Sequence, residues 1–353
     1  MRSLATLLML AASLACPQST AVAADDFAPL FDLVADIPLG ESTSRFDYGS
    51  LDPTAGRLYV AKMGSGKLLA FDIAHGKLAA ELDGFPTVTG VLAVPELHKV
   101  YASVPGAGLA ATISMALGIA GLSSGSGAVA ILSTGDLHEI ARLPGGVFPD
   151  GIAYDPKERR IFVSDEHGDA VLVIDADADK LTARIEVAGD VGNVQYDPVS
   201  AKVYAAIQSE DELAVIDPVS MSVLGYHALE GCRHPHGLAI APGAAIGYAA
   251  CDSNDRLLAV DLGNGKVLAK LPLGRDPDVM AIDAGAHRLY VASESGTLSS
   301  FDIGDSAAPK PRGDVLVGPN AHAFVIDPAT HRLYFPRGDV NGRSMMRVLA
   351  PRP

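Results

Sequence analysis

The chain repeats one pattern of apolar and polar positions seven times. Each copy has a short turn, then a run such as Arg-Leu-Tyr-Val-Ala, then a second apolar run that closes on Asp. The aromatic anchors, spaced 42, 61, 42, 44, 42 and 44 residues apart, are Tyr59, Tyr101, Phe162, Tyr204, Tyr248, Tyr290 and Tyr334. Short strands repeating at about 40–45 residues are typical of blades around an axis. The pattern therefore predicts an all-β fold, a seven-bladed β-propeller.

The strands of each copy are marked by alternation and by turn residues. In the sixth copy we predict strands over residues 279–283, 288–293 and 297–303. The last copy offers only three strands, over residues 324–327, 332–335 and 343–349. Residues 33–40 (LVADIPLG) match residues 267–274 (VLAKLPLG), the outer strand before the sixth copy. We therefore expect an N-terminal strand to close the last blade and leave no open sheet edge.

The one long spacing reveals an insertion at residues 105–127 in blade 2, rich in Gly, Ala, Leu and Ser. We expect it to join the second and third strands of that blade, on the face where the inner strands begin. Two interpretations stay open. The insertion is either an apolar lid over the channel mouth or a mobile surface loop without a role.

The first 24 residues have the layout of a secretory signal. Arg2 precedes an apolar stretch at residues 4–14, and the small residues AVAA precede Asp25. We expect residues 1–24 to be a signal peptide and 25–353 to be the propeller, in a periplasmic or secreted protein. Cys16 leaves a lipid anchor as an alternative. No later segment offers the roughly 18 apolar residues of a bilayer span, so we expect no transmembrane segment.

Charge and composition exclude several partners and cofactors. The chain holds 42 acidic against 27 basic residues, a formal net charge of −15, which disfavours nucleic acid as a partner. A monomer with a small-molecule or protein ligand of unidentified nature is the expectation. There is no Trp and no Cys-x-x-Cys-His motif. We therefore expect neither the quinone cofactor of propellers with Trp-docking repeats nor covalent haem.

The repeat resembles that of the YncE-like, or YVTN-repeat, family of exported seven-bladed β-propellers. The copies that carry the resemblance best are Leu58-Tyr59-Val60-Ala61 and Leu289-Tyr290-Val291-Ala292-Ser293, although no tyrosine is followed by Val-Thr-Asn. The similarity covers the chain after residue 24. The family includes surface-layer repeats, a DNA-binding periplasmic protein and the propeller half of nitrous oxide reductase. The resemblance thus implies fold and export, with no single activity.

One aligned column is enriched in metal-ligating residues. Five positions before the end of each inner strand, the column contains Asp47, Gly90, Asp150, Gly192, His236, Asp278 and His322. His236, Asp278, His322 and Asp47 come from consecutive blades, so the fold would place two imidazoles and two carboxylates along one arc of the channel mouth. This set suits one divalent metal ion. The alternative is that each Asp caps a turn and each His fills a wet channel.

Other polar residues are predicted near the same mouth. Arg45, Asp150, Arg275 and Asn320 are candidate ligand-binding residues, and His234 or His167 is a candidate catalytic acid or base. The function these residues favour is a binding module for a metal, small ligand or partner protein. The alternatives are a metal-assisted lyase or lactonase at the same mouth, and a DNA-binding propeller, which the acidity disfavours.

Blade 5 carries the two cysteines that follow the signal region, Cys232 and Cys251. Export to an oxidising compartment predicts a disulfide between them. If they stay reduced, they form with His234 and His236 a donor set for copper or zinc.

Overall fold

The computed structural model describes residues 28, 30–40, 43–119 and 125–352. The predicted signal peptide, residues 1–24, and the alternative acylation site Cys16 lie outside the described residues. In the described part of the chain, 28 strands form seven four-stranded antiparallel sheets arranged as the predicted all-β, seven-bladed β-propeller. No helix of the described residues is long and apolar enough to cross a bilayer.

The strands are numbered along the chain and described from blade 1 to blade 7. The inner strands are β2 (Gly49–Asp52), β6 (Val91–Val94), β10 (Pro149–Asp155), β14 (Val191–Asp197), β18 (Pro235–Ile240), β22 (Pro277–Asp283) and β26 (Val325–Asp327). The second strands are β3 (Arg57–Lys62), β7 (Lys99–Val104), β11 (Arg160–Asp165), β15 (Lys202–Ile207), β19 (Ile246–Cys251), β23 (Arg288–Ser293) and β27 (Arg332–Val340).

The third strands are β4 (Lys67–Asp72), β8 (Gly127–Ser133), β12 (Ala170–Asp175), β16 (Glu212–Asp217), β20 (Arg256–Asp261), β24 (Thr297–Asp302) and β28 (Arg343–Pro351). The outer strands are β5 (Lys77–Asp83), β9 (Glu139–Gly146), β13 (Lys180–Glu186), β17 (Ser222–Ala228), β21 (Val267–Pro272), β25 (Lys310–Leu316) and, in blade 7, the N-terminal strand β1 (Phe31–Pro38).

Strand β1 is paired antiparallel with β28, so blade 7 contains both ends of the described chain. The register runs from Phe31 opposite Pro351 to Pro38 opposite Met345, with one irregularity between Leu33 and Ala35. The guanidinium of Arg347 holds Asp36 across this pair with two hydrogen bonds of 2.8 and 2.6 Å.

The aromatic anchors of the repeat form the core between blades. All seven are at most 5% exposed. Tyr59 of blade 1, for example, packs in one cluster with Val100 and Ala130 of blade 2. The Asp that ends an inner strand accepts backbone N–H bonds from the turn behind it, as Asp52 does from Thr54 and Ala55 at 2.9 and 3.0 Å. Each blade thus buries its face only against its neighbours.

The insertion in blade 2 lies between β7 and β8 and contains the α-helix α1 (Gly108–Ile119), which neither interpretation of its sequence predicted. Its Cα atoms come within 8 Å of the 3-10 turn Glu166–Gly168 of blade 3. The helix exposes Ile113, Leu117 and Ile119. Four further 3-10 turns of the described chain follow strands at Met63–Ser65, Pro95–Leu97, Gln208–Glu210 and Asp252–Asn254.

Candidate metal centre at one end of the channel

Three residues of the aligned column converge where inner strands begin. Asp47 lies just before β2, Asp278 is the second residue of β22, and His322 lies shortly before β26. One ligand atom of each lies within 4.8 Å of the ligand atoms of the other two. Asp47 is 7% and His322 only 1% exposed. Blades 1, 6 and 7 therefore bring two carboxylates and one imidazole together in a buried position.

Backbone capping does not account for the two aspartates. Among the described residues, no backbone N–H donates to the carboxylate of Asp47 or Asp278. The capping Asp residues occupy other columns, such as Asp165, whose Oδ1 accepts from the N–H groups of Val147 and Phe148 at 2.7 and 2.8 Å. The carboxylates of Asp47 and Asp278 therefore face the channel.

His236, the fourth predicted ligand, lies beside this group without joining it. Its Nε2 is 3.2 Å from Asp278 Oδ1, and its Nδ1 is 2.6 Å from the Nε2 of Gln208. Tyr48 Oη is 3.3 Å from the same imidazole Nε2. The structure thus gives His236 a position that orients Asp278.

On the side away from Asp278, His322 faces an ion pair between Glu294 and Arg45. Glu294 Oε2 is 3.3 Å from His322 Nδ1, and Arg45 binds both Glu294 oxygens, at 2.6 and 3.4 Å. His322 Nε2 is 4.0 Å from Asp278 Oδ2. Neither ring nitrogen of His322, nor Asp278 Oδ1, has a partner with hydrogen-bond geometry in the described chain. Buried polar atoms of this kind are rare in proteins and call for an explanation.

The two carboxyl groups have opposite pKa shifts. Burial, and after it the charge of Asp278, raises the pKa of Asp47 to about 7. Burial also acts to raise the pKa of Asp278, but the ion pair with His236, and after it the charge of His322, lower that pKa below its ordinary value. Asp278 is therefore ionised at neutral pH, where Asp47 titrates.

The surroundings of both histidines favour the charged form of the imidazole. Burial acts to lower the pKa of His236, but Asp278 outweighs burial and raises it to about 10. Burial is likewise outweighed at His322, where Glu294 and Asp278 raise the pKa. The pKa of Glu294 lies at about 2, because His322 and Arg45 outweigh its burial. Protonated imidazoles thus balance these carboxylates, a role that a bound cation would take over at His322.

Asp47 and Asp278 line a cavity of about 300 Å³ at this end of the channel, whereas His322 is not among its lining residues. Seven of its lining residues are acidic: Asp47, Asp150, Glu166, Asp252, Asp276, Asp278 and Glu294. Its basic lining residues are Arg45, His234 and His236. The carboxyl of Asp150 is buried, which raises its pKa well above the ordinary value, and the charge of Asp47 adds to the shift. Acidic residues therefore outnumber basic residues in the lining of this cavity.

The other predicted mouth residues divide into two sets. Arg45, Asp150 and His234 line the cavity, although Arg45 is already paired with Glu294. His167, Arg275 and Asn320 are not among its lining residues. The side chain of Arg275 is 76% exposed and next to Asp276, and His167 packs on Phe148 with ring centroids 5.2 Å apart.

A disulfide joins Cys232 and Cys251, with an S–S distance of 1.99 Å. It ties the segment before β18, which carries His234, to the end of β19. The next residue, Asp252, places its Oδ2 2.9 Å from His234 Nδ1. Sulfur atoms bonded to each other are not free to bind a metal, so the alternative set of two thiolates with His234 and His236 does not exist in this structure.

Sequence reasoning missed Tyr48, Gln208, Glu166 and Asp252 as cavity residues. A second column would have found three of them. The residues four positions after the aromatic anchors are Met63, Pro105, Glu166, Gln208, Asp252, Glu294 and Gly338. Five members of this column line the cavity.

Comparison with known proteins supports the architecture. No protein-family model matches the chain, and no curated protein matches it. Among solved structures, it is similar to Kuenenia stuttgartiensis hydrazine synthase, with a TM-score of 0.70 and 15% sequence identity over 87% of this chain and 96% of that one. At this identity the likeness shows the seven-bladed propeller fold alone.

Proposed function

We propose that the protein is a binding module that holds one divalent metal ion at the acidic end of its channel, through Asp47, Asp278 and His322. The observation that carries the proposal is the convergence of their ligand atoms within 4.8 Å from three separate blades. Two carboxylate oxygens and one imidazole nitrogen suit Mn, Fe or Zn, with water completing the coordination, or Ca if oxygen ligands dominate.

The surroundings of the group support a metal more than a simple hydrogen-bond network. A metal-bound histidine usually directs its second nitrogen to a carboxylate, which fixes the ring. Glu294 has this relation to His322 Nδ1 at 3.3 Å, while His322 Nε2 faces Asp278. Asp278 is in turn oriented by His236. A cation bound between them would also give His322 Nε2 the partner that it lacks among the described residues.

The experiment compares two Asp→Asn variants of one blade. Asp278 belongs to the group, whereas Asp276 lines the same cavity, is 58% exposed and lies outside the group. Purified wild type and the Asp276→Asn variant should bind one Mn²⁺ or Zn²⁺ per chain by calorimetry. The Asp278→Asn and His322→Ala variants should lose this binding while keeping the wild-type circular dichroism spectrum. Equal binding by all four proteins would refute the site.

The wider assignment is an exported, monomeric, YncE-like propeller. The repeat resembles that family, the first 24 residues have signal layout, and a disulfide is compatible with an oxidising compartment. Expression in a bacterial host with fractionation, followed by N-terminal sequencing, tests this. The mature chain should begin at Asp25 outside the cytoplasm and elute from gel filtration as a monomer; retention of Met1 in the cytoplasm would refute export.

A metal-assisted lyase or lactonase at the same mouth is the second candidate, and a specific pair favours it. His234 lines the cavity, and its Nδ1 lies 2.9 Å from Asp252 Oδ2, an arrangement that orients an imidazole for proton transfer. This hydrogen bond is the largest effect on the pKa of His234 and raises it. A screen of lactones with metal-loaded protein tests the candidate. Any hydrolysis should fall at least about 100-fold in His234→Ala; equal rates would exclude the assignment.

A further inference from the structure

The channel contains a second cavity, of about 420 Å³, whose chemistry is the opposite of the first. It is lined by residues of the inner strands of all seven blades, and none of its lining residues carries a charge. Leu51, Leu92, Ile152, Met280 and Ile282 contribute partly exposed apolar side chains. The polar side chains that reach it include Asn193 and Gln195, both from β14.

Tyr48 separates the two cavities. It comes from blade 1, and its hydroxyl accepts a hydrogen bond of 2.7 Å from Asn193 Nδ2 of blade 4, on the far side of the seven-membered ring. The same hydroxyl lies 3.3 Å from His236 of blade 5. The Tyr48 side chain therefore spans the channel from blade 1 to blade 4, and it lines both cavities. The second cavity, here called the uncharged compartment, thus adjoins the acidic cavity at Tyr48.

We propose that the uncharged compartment binds an uncharged, mainly apolar small molecule with one or two hydrogen-bonding groups. Its volume falls within the about 300–1,000 Å³ typical of small-molecule sites, which are apolar with a few polar groups that orient the ligand. Partly exposed aliphatic side chains in a concave space gain stability when an apolar body removes them from water. The amides of Asn193 and Gln195 lie on one strand, where they would form hydrogen bonds with the polar groups of the ligand.

The same observations select against other occupants. A charged ligand would lose its hydration without gaining a counter-charge, because the lining holds no ionised side chain. Seven inner strands enclose this cavity, and Tyr48 limits it at one end. Such a space suits a small molecule better than a folded protein. The inference does not depend on a metal at the acidic end.

The test uses N-phenyl-1-naphthylamine, an uncharged probe that fluoresces in apolar surroundings. The chain has no Trp, so probe emission is read against a low protein background. Wild type should bind one probe per chain, saturably. Ala281 lines the cavity, and Ala281→Trp fills it, so the variant should bind at least about tenfold more weakly. The matched control is Val219→Trp, at a residue 57% exposed, which should bind as wild type does.

Two further variants test whether the probe binds in this cavity or elsewhere on the protein. Asp276→Asn, at the acidic end and outside the metal-ligand group, should leave probe binding unchanged. Ile113→Ser with Leu117→Ser removes exposed apolar side chains of α1, which the probe could otherwise coat, and should also leave binding unchanged. If Ala281→Trp does not give the wild-type circular dichroism spectrum, Ala281→Leu replaces it. Unsaturable binding by wild type, full binding by a folded Ala281 variant, or loss in the α1 variant would each overturn the proposal.

Discussion

Gly237 offers a sharp test of how the blades position the metal ligands. It lies in β18 of blade 5, and a Cβ at this position would lie 2.3 Å from the backbone oxygen of Asp278 in blade 6. It would also lie 3.0 Å from Met280 Cγ and 3.2 Å from Ala250 Cβ. Side chains in real structures do not approach backbone atoms this closely. Gly237→Ala must therefore push the inner strand of blade 6 away.

The size of the effect follows from these distances. The strands must separate by about 0.7 Å to bring the contact to 3.0 Å, and overpacking of this kind costs about 1–3 kcal/mol. Metal sites require ligand distances within about 0.2 Å, so the shift at Asp278 should weaken Mn²⁺ or Zn²⁺ binding by at least about tenfold.

The assay combines urea unfolding with calorimetry, and Gly225→Ala is the control. Gly225 lies in the outer strand β17, and a Cβ there would have no atom within 4 Å. This control should keep wild-type affinity and stability, or gain a few tenths of a kcal/mol from the less flexible unfolded chain. Wild-type affinity and unfolding midpoint in Gly237→Ala would show that contact between the inner strands does not position Asp278.

Three further predictions follow from the site and the closure. Replacing Cys232 and Cys251 by Ser should lower the free energy of unfolding by about 3 kcal/mol, because the bridge closes a loop with a sequence separation of 19; an unchanged urea midpoint would contradict this. Metal affinity should fall at least about tenfold from pH 8 to pH 6. The reason is that protons compete with the metal at Asp47, whose pKa is about 7, and at His322, whose pKa is raised. Calorimetry at both pH values measures the change in affinity, and an equal or higher affinity at pH 6 would contradict this. Asp36→Asn weakens the ion pair between β1 and β28 and should make the N-terminal strand the first segment to exchange its amide hydrogens, and uniform exchange would refute this.

The blades were predictable because each strand type recurs in the sequence. The second strand of blade 6 was predicted as residues 288–293 and has those bounds. The insertion has no counterpart in other copies, so the repeat gave no template for α1. Its Ala, Leu and Met residues have high helix propensity. This indication of a helix was overlooked because the rest of the chain follows a strand pattern.

The grouping of Asp47, Asp278 and His322 was predictable because positions aligned across blades lie at a similar depth in the channel. Tyr48 was missed because the column takes one position from each blade, and Tyr48 is the residue after Asp47. Arg275 and Asn320 were selected by proximity in sequence alone, and both are exposed. Asn320 has a φ of 53°, outside the extended backbone on which a column depends.

The pairing of β1 with β28 in blade 7 determines when the proposed metal centre can form. Asp47 follows the first strand of the described chain and His322 precedes the last three, so the two residues become neighbours only when β1 pairs with β28 and closes blade 7. A nascent chain that lacks its final sixty or so residues has blade 6 incomplete and no β28 with which β1 could pair. The proposed ion could therefore bind only after β1 has paired with β28.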